Sequence, residues 1–176
     1  MKTVITTLLA VTLLTFVGCG KQENPVPEVD LHTAAVLGDL EAVKQHIKAG
    51  SDLNVKEPTR GSTPLITATV FGKTDVAMAL IEAGADVNYQ NNEGSTALHS
   101  AALFCRIEIV RALLEKGADK KIMNKDGRIA MDSVTRPFAD MKGIYDGLGA
   151  SLKPLGLVLD YDYIKMMRPQ IAEMLR

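Results

Sequence analysis

The sequence contains no Trp, only four Phe and four Tyr, and only two Cys in 176 residues. Two cysteines, Cys19 and Cys105, are too few for a disulfide framework. An excess of either charge is also missing: 20 Lys and Arg stand against 21 Asp and Glu, giving a net charge of −1 with no acidic tail. The electrostatic footprint of a dedicated nucleic-acid binder is therefore absent. With 47% hydrophobic and 23% charged residues, the composition excludes collagen, coiled coil and wholesale disorder. The length fits one compact domain or one short repeat array.

Twelve hydrophobic residues fall in the first nineteen positions. Met1-Lys2 supplies one positive charge, and Val4 to Val17 is an uncharged 14-residue run containing four threonines. As a helix it would reach about 21 Å, short of the roughly 30 Å hydrocarbon core, so it reads as the apolar region of a signal peptide over residues 1–18. Phe16-Val17-Gly18-Cys19 resembles the lipobox of bacterial lipoproteins, with Phe16 where Leu is usual. The resemblance implies cleavage before Cys19 and lipid modification of that cysteine, with an ordinary secretory signal as the alternative. Cleavage there removes only Lys2 among charged residues, leaving 19 basic against 21 acidic side chains and a net charge of −2. The anchor is then acyl chains rather than a basic patch. Residues 19–30 are polar, carry Pro25 and Pro27, and form the linker. Gly20 after the cysteine resembles the outer-membrane sorting pattern of many Gram-negative lipoproteins, which implies an outer-membrane anchor facing the periplasm.

From Leu31 onward the chain repeats itself. Gly61-Ser62-Thr63-Pro64-Leu65 recurs as Gly94-Ser95-Thr96-Ala97-Leu98 after thirty-three residues, and Gly127 follows Gly94 by the same interval. Ala83-Gly84-Ala85-Asp86-Val87-Asn88 is echoed by Lys116-Gly117-Ala118-Asp119 and by Ala49-Gly50-Ser51-Asp52-Leu53-Asn54. The period and both signatures resemble ankyrin repeats. Thr63-Pro64-Leu65 and Leu98-His99-Ser100-Ala101-Ala102 carry most of the family's Thr-Pro-Leu-His segment, and Leu31-His32-Thr33-Ala34-Ala35 carries its helical part. The resemblance implies an all-α solenoid in which each unit is a β-turn finger, helix A, a turn and helix B. Three clear repeats are expected at 31–60, 61–93 and 94–126.

Local chemistry predicts the same units. Pro64 suits the first helical position with Thr63 as cap, and Asp39 and Thr74 suit the caps of the second helices. Helix B of the third repeat is predicted from about Glu108 to Lys116, with Ile107, Val110, Leu113 and Leu114 forming one apolar stripe. Gly50, Gly84 and Gly117 suit left-handed residues after the helix ends. Each unit leaves an apolar face open, so stability must come from stacking.

Beyond residue 126 the pattern degenerates. Arg136-Pro137 and Arg168-Pro169 lie 32 apart, which predicts Pro137 and Pro169 as first residues of second helices. Gly149-Ala150 then marks the end of a fourth repeat over about 127–153, and a shortened fifth covers 154–176 with Asp160 or Asp162 capping its first helix. Lys165, Arg168, Gln170, Glu173 and Arg176 are predicted to form a polar outer face.

Catalytic chemistry is thinly represented. His32 and His99 occupy equivalent places two repeats apart, roughly 20 Å by helix spacing, too far to share a metal. The ankyrin resemblance implies that they brace adjacent repeat loops. Gly143, Gly147 and Gly149 lack the strand and helix start of a phosphate loop, and Asn124 to Gly127 lacks the later acidic ligand of a calcium loop. Cys105 stands where Gly38 and Gly72 stand in the preceding units, each 12 residues before Gly117, Gly50 and Gly84, and reads as a small, inert turn residue.

The reading is thus of a non-enzymatic protein-binding module with no cofactor, no metal, no small-molecule substrate and no nucleic acid, whose partner is another envelope protein. In the ankyrin family the finger tips and the inner face of helix A contact partners. Val36-Leu37, Val70-Phe71 and Leu103-Phe104 form an apolar ladder before successive turns, either filling gaps between A helices or forming a binding strip. Arg60, Tyr89, Asn91, Met123, Lys125 and Arg128 would rim such a strip. An inhibitor or immunity-type protein blocking a periplasmic enzyme is the alternative, with an enzyme using Cys105 a more distant one.

Overall fold

The computed structural model describes residues 27–176. The expected signal peptide, the expected lipid site at Cys19 and most of the expected linker lie outside the described residues.

Helices α1 (Leu31–Leu37), α3 (Pro64–Val70) and α5 (Ala97–Leu103) stack as one layer. Helices α2 (Leu40–Ala49), α4 (Thr74–Glu82) and α6 (Ile107–Glu115) stack as a second, each packed on its own partner in the first. No strand occurs among the described residues. The first layer can pack closely because its buried positions include Ala34, Ala35, Ala68, Ala101 and Ala102, while Leu65, Leu98, Val43, Leu80 and Leu113 fill the space between layers.

The helix starts follow local hydrogen-bonding logic. The carboxylate of Asp30 accepts the N–H groups of His32 and Thr33, both at 3.0 Å, and Asp39 accepts that of Ala42. Thr63 accepts the N–H of Ile66, with Pro64 at the first helical position. Thr74 is the first residue of α4 rather than its cap; Lys73 precedes it and makes no side-chain cap bond. Likewise α6 begins at Ile107, one residue before the expected start, because Arg106 has already left the turn. Cys105 adopts φ 53°, the left-handed conformation that Gly38 and Gly72 supply in the other units.

The C-terminal region departs from the expected fourth and fifth repeats. Residues 127–176 form the short α7 (Asp132–Thr135), α8 (Phe138–Leu152), a 3-10 turn (Lys153–Leu155) and α9 (Tyr161–Leu175). The short α7 continues the first layer on α5, while α9 packs on both α7 and α6 and so closes the second layer. One unit therefore ends the stack, and α8 is inserted between its two helices. Pro137 is extended (ψ 138°) and precedes α8 rather than starting it. Pro169 lies inside α9, where its missing N–H leaves only the carbonyl of exposed Lys165 without a helical donor. Gly149 lies inside α8; the left-handed turn falls instead at Gly156, φ 92°. Asp160 caps α9 by accepting the N–H groups of Asp162 and Tyr163. Lys165, Gln170, Glu173 and Arg176 face outward, but Arg168 is buried at 5% exposure. Its guanidinium donates to the carbonyls of Ser133 and Arg136 and to Tyr145 Oη, and it lies over the Phe138 ring.

Candidate functional site

Between the first helix layer and the fingers runs a groove of about 740 Å³. Its floor is built by the inner face of the A helices, where Val36, Ile66, Val70, Phe71, Leu103 and Phe104 line it. Spacing within the repeat explains their convergence: each pair precedes the turn that ends its A helix, so stacking the helices brings the pairs side by side.

The fingers form one wall and are fixed by repeated Asx chemistry. Asn91 Oδ1 accepts the N–H groups of Glu93 and Ser95, and Asn124 Oδ1 accepts those of Asp126 and Arg128. In the first finger Glu57 takes that role, accepting from Thr59, Arg60 and Ser62. Partial burial pushes its carboxyl up, but those backbone donors prevail and hold it below the usual carboxylate range. Neighbouring fingers join through Asn92 N–H to the Arg60 carbonyl (2.8 Å) and Lys125 N–H to the Glu93 carbonyl (3.0 Å). The histidines brace the fingers from below. His32 Nε2 lies 3.0 Å from the Val55 carbonyl and His99 Nε2 3.0 Å from that of Arg128. His99 Nδ1 accepts the Thr96 N–H, so its Nε2 carries the proton and donates to Arg128. Burial holds the His99 imidazole below its ordinary pKa, which favours this neutral state.

Of the predicted binding residues, Arg60, Asn91, Lys125 and Arg128 stand on the groove wall beside Val36, Val70, Phe71, Leu103 and Phe104. Phe104 is only 3% exposed, with Arg106 over its ring, so it offers the groove little surface. Leu37 is exposed but turns away into a separate shallow depression beside Gly72, Lys73 and Asp75. Tyr89 packs partly buried against the core beneath Lys56 Nζ, and exposed Met123 offers its carbonyl to Gln90 rather than its side chain to the groove. The ladder therefore reaches the groove only in part.

The second wall was not anticipated. Met141, Ile144, Leu148 and Leu152 of α8 line the groove opposite the fingers, and Leu155 extends the row. Their spacing of 3, 4, 4 and 3 residues is a helical apolar stripe, a signal present in the sequence.

Elsewhere the chemistry is inert. Among the described residues no group of three or more His, Cys, Asp or Glu could hold a metal ion. Burial raises the Cys105 thiol to about 11, outweighing the attraction of Arg168 and Arg106, so it carries negligible thiolate at neutral pH. No helix among the described residues is long and apolar enough to cross a membrane.

Comparison with known proteins agrees with this geometry. The family model for ankyrin repeats (3 copies) matches residues 31–124, just over half of the chain. Among curated relatives, the DNA-binding protein RFXANK of Homo sapiens is 40% identical over 58 residues, covering 33% of this chain and 22% of that protein. Mus musculus protein phosphatase 1 regulatory subunit 27 is 41% identical over 63 residues, covering 36% and 40%. Mus musculus inversin is 45% identical over 58 residues, covering 33% and 6%. The matched stretches thus cover 40% or less of each of these relatives. Three stacked helix pairs joined by Asx-turn fingers, matched by the family model over the same residues, place this chain in the ankyrin-repeat family.

Proposed function

We propose that this protein is a non-enzymatic binding module that holds a protein partner in the groove between fingers and A helices, on a lipid anchor in the bacterial envelope. The observation carrying the reading is the groove itself, an apolar floor with partly exposed Phe71 and a polar wall of Arg60, Asn91, Lys125 and Arg128. An aromatic anchor within a polar rim suits protein partners. Ankyrin repeats commonly serve as interaction scaffolds, and the Cys105 thiol is too buried and too basic to support a nucleophile.

The envelope location rests on the lipobox-like Phe16-Val17-Gly18-Cys19. The likeness to a phosphatase regulatory subunit favours one narrower version, in which the partner is itself an enzyme whose activity binding alters.

A photoreactive residue placed at Phe71, inside the groove, is expected to crosslink one defined protein in intact cells, whereas one at Arg111, exposed on the outer layer, is not. Equal products from both positions would overturn the groove. A complex that leaves an enzymatic partner's rate unchanged would remove the narrower version. Metabolic labelling with a palmitate analogue should mark the wild-type chain and not Cys19→Ala; persistence of label in the variant removes the anchor.

A further inference from the structure

We infer that α8 is a releasable strap, seated along the groove as its second wall, whose release opens the groove more widely to a partner helix. Four observations carry this. First, α7 packs directly on α9, so both layers of the stack close without α8. Second, the buried attachments of α8 are few and centre on one residue: Tyr145, fully buried, donates its hydroxyl to the Leu103 carbonyl at 2.9 Å, accepts from Arg168 and stacks on Phe138, with Met141 buried four residues before it, while the tie of α8 to Tyr161 of α9 through Asp146 is exposed. Third, the rest of its groove-facing row is only partly covered, with Ile144 37% exposed, Leu148 and Leu152 half-buried, and Leu155 of the following turn 56% exposed. Fourth, α8 carries Gly143, Gly147 and Gly149 within fifteen residues, each weakening a helix about twofold to fivefold relative to Ala. At Gly143 and Gly147 a Cβ would meet nothing within 4 Å, so packing does not require glycine there. A helix this weak persists chiefly because it is docked, and undocking therefore couples to melting.

The flanking segments permit release. Arg136 and Pro137 are extended before α8, and Gly156 turns the chain after it. When Tyr145 leaves, Arg168 retains the carbonyls of Ser133 and Arg136, so its buried charge keeps two acceptors. The side chains that α8 itself presents to the groove are aliphatic, Met141, Ile144, Leu148 and Leu152. That a partner enters the groove when α8 leaves rests on the groove reading above.

Hydrogen exchange on the full chain, with no partner present, tests the strap itself. Amides of residues 141–147 are expected to exchange more than tenfold faster than those of α5 and of α9. Tyr145→Phe should accelerate them a further threefold to tenfold, and Gly143→Ala with Gly147→Ala should slow them about tenfold, both without moving α5 or α9. Exchange of α8 within tenfold of α5, or in step with α9, would overturn the proposal by making α8 part of the cooperative stack or of a fraying end. Either failure leaves the groove reading standing, since no partner enters the measurement.

Discussion

The side-chain carbonyl of Asn88 accepts the backbone N–H of Asp119 at 2.8 Å. Asn54 accepts the N–H of Asp86 at the same distance one repeat earlier, and each aspartate in turn accepts the N–H two residues on. A line of side-chain bonds thus ties the segment after each B helix to the next unit. Asn88→Ala is expected to lower stability by about 1 kcal/mol, measured by urea unfolding, the usual net contribution of such a bond. An unchanged midpoint would mean that water replaces the asparagine without loss.

Glycines of similar backbone geometry should differ in tolerance. Gly84 has φ 89° with open space around a would-be Cβ, whereas at Gly94, φ 74°, that Cβ would lie 3.0 Å from the backbone nitrogen of Lys125 in the next finger. Gly84→Ala should destabilise by about 1 kcal/mol, the left-handed penalty alone. Gly94→Ala should cost clearly more, because backbone must move as well. Comparable losses in thermal unfolding would discount the finger contact.

Acid should weaken the third unit through His99. Its folded pKa is depressed below the ordinary 6.5 by burial, partly offset by the Arg128 carbonyl and by Asp132. The unfolded chain therefore binds the proton more readily, so the His99 contribution is full above pH 6.5 and is lost as pH falls through the lower folded value. The Tm difference between wild type and His99→Gln, in which the amide cannot be protonated, should shrink or reverse between pH 7.5 and pH 5. A constant difference would sink the assignment.

Cys105 should be chemically silent in the folded state. Its thiol is fully buried and raised to about 11, with Sγ 3.6 Å from the carbonyls of Ala102 and Ile164. Iodoacetamide at pH 8 is expected to leave it unmodified over hours and to alkylate it promptly in denaturant, read by mass spectrometry. Rapid modification of the native protein would require the α6 and α9 packing to open.

The three helix pairs were legible because their signals are local and repeated: Thr63 with Pro64, Thr96 with His99, and glycines at 50, 84 and 117 each specify a turn or cap within a few residues. Phe71 and Phe104 look alike by position and both line the groove, yet Phe71 is half-buried whereas Phe104 is almost wholly buried, with Arg106 over its ring. Burial of that kind depends on neighbours rather than on spacing. The end of the array misled for the same reason. Pro137 and Pro169 share a 32-residue interval, but α9 lies where a second helix of the fourth unit belongs, and only tertiary packing on α6 and α7 reveals it. The apolar row of α8 was readable as a stripe, though not its position beside the A helices.

The insertion of α8 also separates the closing unit from the others in time. In the first three units the paired helices are divided by two or three residues, from Leu37 to Leu40, Val70 to Thr74 and Leu103 to Ile107. Between Thr135 and Tyr161 stand 25 residues. Closing that longer loop is entropically harder, so the closing unit pairs its helices later than the units before it. The three regular units can therefore pair their helices while the last edge of the stack is still open, and α9 seals that edge only once the longer loop has closed.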